Sequence, residues 1–180
     1  TPDGRRLAFD FPVVIGNADV YTLPLDVSDP DHPKPGKPEA FLTSPVREVD
    51  PAFSPDGHWI AYASNESGVE EVFVRSFPGP GGKWKISTAS GKFPTWSRNG
   101  RELFYLGADN RIMVADYTAR GESFSASKPR VWSDRRVLGP SVIRVLDLHP
   151  DGKRFAVLAQ PDAEKETGNL HVTFLLNFAD

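Results

Sequence analysis

Four times along this chain a tight polar turn ending in glycine runs straight into an apolar strand. Thr1-Pro2-Asp3-Gly4 leads into Arg5-Arg6-Leu7-Ala8-Phe9, and Ser54-Pro55-Asp56-Gly57 into His58-Trp59-Ile60-Ala61-Tyr62. Ser97-Arg98-Asn99-Gly100 leads into Arg101-Glu102-Leu103-Phe104-Tyr105, and His149-Pro150-Asp151-Gly152 into Lys153-Arg154-Phe155-Ala156-Val157. Pro presets φ at the second turn position, Asp or Asn bonds the local backbone, and Gly takes the positive φ with which the chain reverses. The third copy has Arg98 in place of Pro, so it loses the preset φ and keeps the turn. One such turn would fit any β protein; four, each with the same strand type behind it, define a repeat. The glycines stand 53, 43 and 52 residues apart, close to the roughly 40–50 residues of a four-stranded propeller blade.

Strands are expected at 5–11, 19–25 and 39–43 in the first unit, and at 51–53, 59–64, 71–76 and 84–88 in the second. The third unit offers 94–96, 102–106, 111–117 and 129–132, and the fourth 142–148, 154–159 and 171–177. Runs such as Leu103-Phe104-Tyr105-Leu106 do not alternate, as expected of sheets buried on both faces by neighbouring blades. The reading is therefore all-β: a β-propeller of four-stranded antiparallel blades, about three and a half to four of them. All 180 residues form one partial propeller domain, with units near 1–46, 47–90, 91–138 and 139–180. The first unit opens at its turn, and the chain starts at Thr1 and not at Met. The expectation is the C-terminal part of a larger propeller; the alternative is two copies meeting to close one ring.

The blade signature Phe53-Ser54-Pro55-Asp56-Gly57 with Ile60-Ala61-Tyr62 resembles the repeat of TolB-type, WD-repeat-like bacterial propellers. A longer series is similar to the C-terminal propeller of large bacterial proteins, many of them membrane-linked serine/threonine kinases. It comprises Phe73 to Gly79, Trp84 to Thr88, Pro94 to Ser97, Glu102 to Tyr105, Asp147, Pro150 to Phe155 and the closing Leu176-Asn177-Phe178. Where that family often has Trp after the final Asn, this chain has Phe178. The resemblance spans nearly the whole chain and marks blades. It implies a sensing or docking module and an extracytoplasmic or periplasmic setting, and carries no kinase motif with it.

With 39% hydrophobic and 25% charged residues the chain has the makings of a folded core. A net charge of −3 provides no basic surplus for nucleic acid, and no apolar run nears the roughly 18 residues that insert in a membrane. There is no Cys, hence no disulfide or thiolate site, and no Gly-x-Ser-x-Gly nucleophile elbow. His32, His58, His149 and His171 lack metal-ligand spacing, and His58 and His149 flank repeat turns. Asp26, Asp29 and Asp31 lie among prolines without the Gly and terminal Glu of a calcium loop, and read as a surface insertion. The Gly- and Pro-rich 76–83 segment reads as a long hairpin loop, and Trp59, Trp84, Trp96 and Trp132 as packing between blades. No cofactor and no catalytic residue is expected.

Binding on such a scaffold belongs to its loops. The segments that join one blade to the next, around the channel mouth, carry Arg47, Glu48, Lys92, Arg135 and Arg136, which are the candidate binding residues. The expected function is noncatalytic docking of a protein or peptide partner. The alternative is the propeller part of a hydrolase or peptidase, or an enzyme with a site in the central funnel.

Overall fold

The computed structural model describes residues 1–14, 16–79, 81–138, 143–158 and 174–175. All its regular elements are β-strands, every ladder is antiparallel, and they fall into four successive sheets. The first holds β1 (Arg6–Val14), β2 (Asn17–Asp26), β3 (Lys34–Pro35) and β4 (Glu39–Leu42), with β2 at its centre. The second is a plain meander of β5 (Glu48–Phe53), β6 (Trp59–Ser64), β7 (Glu71–Ser76) and β8 (Lys83–Lys85). The third runs β9 (Gly91–Trp96), β10 (Glu102–Gly107), β11 (Arg111–Arg120) and β13 (Arg130–Arg136), with β12 (Ser123–Ala126) added as a hairpin on the far end of β11. The fourth shows β14 (Leu146–Leu148), β15 (Phe155–Val157) and β16 (Phe174–Leu175).

The four turns repeat bond for bond. The glycine N–H donates three residues back, to Thr1, Ser54, Ser97 and His149 carbonyls at 3.0, 2.9, 3.1 and 2.9 Å. Asp3, Asp56, Asn99 and Asp151 accept the N–H two residues on at 3.1, 3.1, 2.8 and 2.8 Å. All four glycines have φ between 69° and 73°, the left-handed region that only Gly enters without strain. Arg98 thus keeps the turn of its Pro-bearing siblings.

Consecutive sheets meet through their first strands: β5 lies against β1 and β2, β9 against β5, β6 and β7, and β14 against β9. The second and third sheets each show one face to the sheet before and the other to the sheet after. Val20 and Leu42 meet Tyr62 and Phe73; Ala61, Val72 and Val74 meet Leu103, Tyr105 and Trp96; Phe104 and Val114 meet Phe155 and Val157. This is the radial, two-sidedly buried stacking of a propeller, and it explains the missing alternation: β6 is buried along its whole length.

Local departures from the expected strands have local causes. β5 and β9 begin at 48 and 91, ahead of the prolines at 51 and 94 where a strand start was expected, because a bulge lets each proline sit inside the ladder. Strands β3 and β12 were not anticipated, and β8 ends at Lys85 although strand was expected to 88. Positions 142, 159, 171–173, 176 and 177 of the expected fourth-unit strands lie outside the described residues.

Candidate functional site at the inner rim

The bulges bring polar groups to the side where successive sheets converge. Asp50-Pro51 stands opposite the single residue Tyr62, and Phe93-Pro94 opposite Tyr105, at matching places in the second and third sheets. Asp50 and Phe93 have φ of 56° and 55°, which Asp tolerates through its short polar side chain and Phe does not welcome. Because both are in first strands, these bends face the rim where successive sheets converge.

Side chains from four segments gather there. The Asp50 N–H donates to Asp10 Oδ1 on β1 at 3.2 Å. The Arg144 guanidinium, just ahead of β14, donates to Thr95 Oγ1 at 2.8 Å and to the Pro94 carbonyl at 3.3 Å, and its Cζ lies 5.8 Å from the Phe93 ring centroid. Burial pushes the Asp50 carboxyl above the usual carboxylate range; Asp10 adds to the rise, while Arg144, the Phe93 N–H and Arg47 oppose it. A carboxyl held against ionisation beside a guanidinium can donate or accept a proton and can orient a hydrogen-bonding ligand.

The five sequence candidates do not form one cluster. Arg47, in the loop before β5, and Lys92, on β9, converge on Glu70: Arg47 pairs with Glu70 Oε1, and Lys92 Nζ lies 2.7 Å from Oε2. One carboxylate thus ties the second sheet to the third. Glu48 is the first residue of β5 and not a loop residue; it is only 6% exposed, and its Oε2 is buried without a hydrogen-bond partner among the described residues. Burial is also the first cause of its raised pKa, with Asp19 adding and Ser44, Arg75 and Lys83 opposing. Arg135 and Arg136 are exposed at the end of β13, a last strand, with Arg136 opposite Arg111. Charges near blade junctions were legible, but a strand end and a loop look alike in sequence.

Sequence reasoning missed Asp50, Glu70 and Arg144. A signal existed for the first: Asp50-Pro51 and Phe93-Pro94 both begin seven positions before a turn glycine, a second register mark of the repeat. The residues judged bland have ordinary roles. Asp26 and Asp29 accept N–H groups two residues on, at 3.0 and 3.2 Å, and His32 pairs with Asp29 at 3.1 Å. His149 stands 3.1 Å from Asp151 within its turn, and His171 is outside the described residues. Trp59, Trp84 and Trp96 pack around Phe124 between the second and third sheets, and Trp132 packs on Phe104 and Phe155.

Repeated corners and radially stacked antiparallel sheets define an all-β fold of the propeller kind. No family model matches the chain, and no curated relative does. Among solved structures it is similar to a protein assigned as TolB from Agrobacterium tumefaciens, at 19% identity and TM-score 0.50, over 73% of this chain and 48% of that one. TolB from Acinetobacter baumannii matches at 17% identity and TM-score 0.51, over 89% and 36%. A protein assigned as a 6-phosphogluconolactonase from Bacteroides uniformis matches at 15% and 0.52, over 88% and 45%. The match therefore spans less than half of each of these chains, and at such identities the likeness is one of fold.

Proposed function

We propose that this chain is a noncatalytic binding module, part of a larger bacterial protein, that docks a protein or peptide on its inner rim. The observation that supports this most is the rim itself. Asp10, Asp50, Thr95 and Arg144 come from four segments onto two bulged strands, and the Arg47–Glu70–Lys92 knot sits on those same strands' approaches. Polar groups fixed by a rigid scaffold are what a recognition surface needs. A peptide carboxylate competes with Glu70 for Arg47 and Lys92. The test is selection of peptides from a phage-displayed random library, followed by calorimetry on the selected peptide. Combined Arg47→Glu, Lys92→Glu and Arg136→Glu is expected to weaken binding at least about tenfold; equal affinity would remove this surface from the function.

A second reading, an enzyme with its site in the funnel, is favoured by the Asp50 carboxyl held above its usual range beside Arg144. Hydrolysis of a sugar-phosphate lactone by this chain, abolished in Asp50→Asn, would replace the docking reading.

A further inference from the structure

The third of the repeated turns carries a chemistry that its siblings lack. Asn99-Gly100 is the one Asn-Gly pair in the sequence, and the matching positions of the other turns hold Asp3-Gly4, Asp56-Gly57 and Asp151-Gly152. A glycine after asparagine leaves the next backbone nitrogen unshielded, and apart from chain neighbours nothing stands within 4 Å of where a Cβ on Gly100 would be. Asn99 and Gly100 are both exposed, so water reaches them.

The side chain is nevertheless pinned. Its Oδ1 accepts the Arg101 N–H at 2.8 Å, and its Nδ2 donates to Glu102 Oε2 at 2.8 Å. The Gly100 N–H, whose proton must leave before that nitrogen can attack, donates to the Ser97 carbonyl at 3.1 Å. The bond to Glu102 also accounts for an amide at this turn. In the fourth turn the place of Glu102 belongs to Arg154, and its Nε donates to Asp151 Oδ2 at 2.8 Å. A cation faces the acid there, and an acid faces the amide here. Aspartate at 99 would set two carboxylates against each other.

We infer that Asn99 is a site of spontaneous deamidation, closed while the third turn is folded and open when it unravels. In the open turn the Gly100 nitrogen loses its proton and bonds to Asn99 Cγ. The Cγ–Nδ2 bond breaks, and Nδ2 leaves as ammonia with that proton, giving a cyclic imide. Water then opens the ring at either carbonyl, to aspartate or isoaspartate; in sum a water is consumed and an ammonia released. Aspartate restores the residue type of the sibling turns but faces Glu102, and isoaspartate lengthens the backbone by a methylene, so it cannot repeat the turn. No residue of the docking rim takes part, and the inference is independent of that reading.

The test is to hold the intact chain at mildly alkaline pH, folded and in urea, and to follow each asparagine by peptide mapping, with isoaspartate counted by enzymatic methylation. Conversion is expected mainly at Asn99 in urea, and at least about tenfold more slowly in the folded chain. Equal rates in the two states, or conversion in urea mainly at another asparagine, would overturn the inference. A second measurement isolates Glu102: Asn99→Asp should lower the urea midpoint more in the wild type than in Glu102→Gln, which keeps an acceptor and loses the charge. Equal drops in the two backgrounds would remove Glu102 from the account.

Discussion

Arg98 shows how far a single residue departs from its repeat without consequence for the fold. Its turn makes the same glycine and Asx-type bonds as the three that hold Pro2, Pro55 and Pro150. The backbone there is already shaped for proline, so Arg98→Pro removes freedom only from the unfolded chain. It is expected to stabilise the protein by about 0.4–1 kcal/mol, read as a rise in the urea midpoint at unchanged slope; a fall would mean that the third turn differs in φ from its siblings. Glu48 is the opposite case, a carboxylate with a buried oxygen that has no hydrogen-bond partner among the described residues. Its pKa is raised on folding, so between the ordinary carboxylate value and the raised one the folded state keeps a proton that the unfolded state has lost. Stability from this group is present at low pH and falls as pH rises through that window. Glu48→Gln should flatten the fall and be more stable than wild type at neutral pH by about 1 kcal/mol. Urea titrations from acid to neutral pH would check it, and parallel profiles for the two proteins would refute it.

Among the elements, the β11–β12 hairpin places an aromatic ring between two sheets and was not legible in the sequence. β11 continues past Tyr117 to Arg120, turns at Gly121 with φ 57°, and returns through Ser123–Ala126. That return inserts Phe124, 4% exposed, with ring centroids 5.2 Å from Trp59, 5.6 Å from Trp84 and 5.3 Å from Tyr117. Phe124→Ala is expected to cost about 3–5 kcal/mol and to diminish the near-ultraviolet tryptophan dichroism. A loss under about 1 kcal/mol would show that the hairpin hangs outside the core. Ser-Phe-Ser-Ala has one large apolar residue in four, and Lys34-Pro35 none, so neither β12 nor β3 announces itself by periodicity. Central strands such as Trp59–Ser64 and Glu71–Ser76 were placed to the residue, because turn residues bracket apolar runs. The candidate site was half legible: Arg47 and Lys92 do meet, but through Glu70, which no local pattern links to either. Asp50 and Arg144 feel each other's charge only because successive sheets converge, and that proximity is a property of the arc and not of any segment.

At the scale of the molecule, sheets that each touch only their neighbours behave as a one-dimensional array, stabilised by interfaces more than by units. The second and third sheets are covered on both sides, and their shared core runs unbroken from Trp59 through Val72 and Val74 to Leu103, Tyr105 and Phe124. Among the described residues the first sheet is covered on one side, by Tyr62 and Phe73 against Val20 and Leu42. Opening β1 and β2 away from the arc therefore exposes one small interface, whereas opening β6 or β10 exposes two large ones. Native-state hydrogen exchange should show this as a gradient. Amides of β6, β7 and β10 are expected to exchange only through global unfolding, and those of β1 at a free energy lower by roughly 2 kcal/mol or more. Uniform protection from β1 to β10 would contradict it, because it would mean that the arc opens as one unit despite its unequal interfaces.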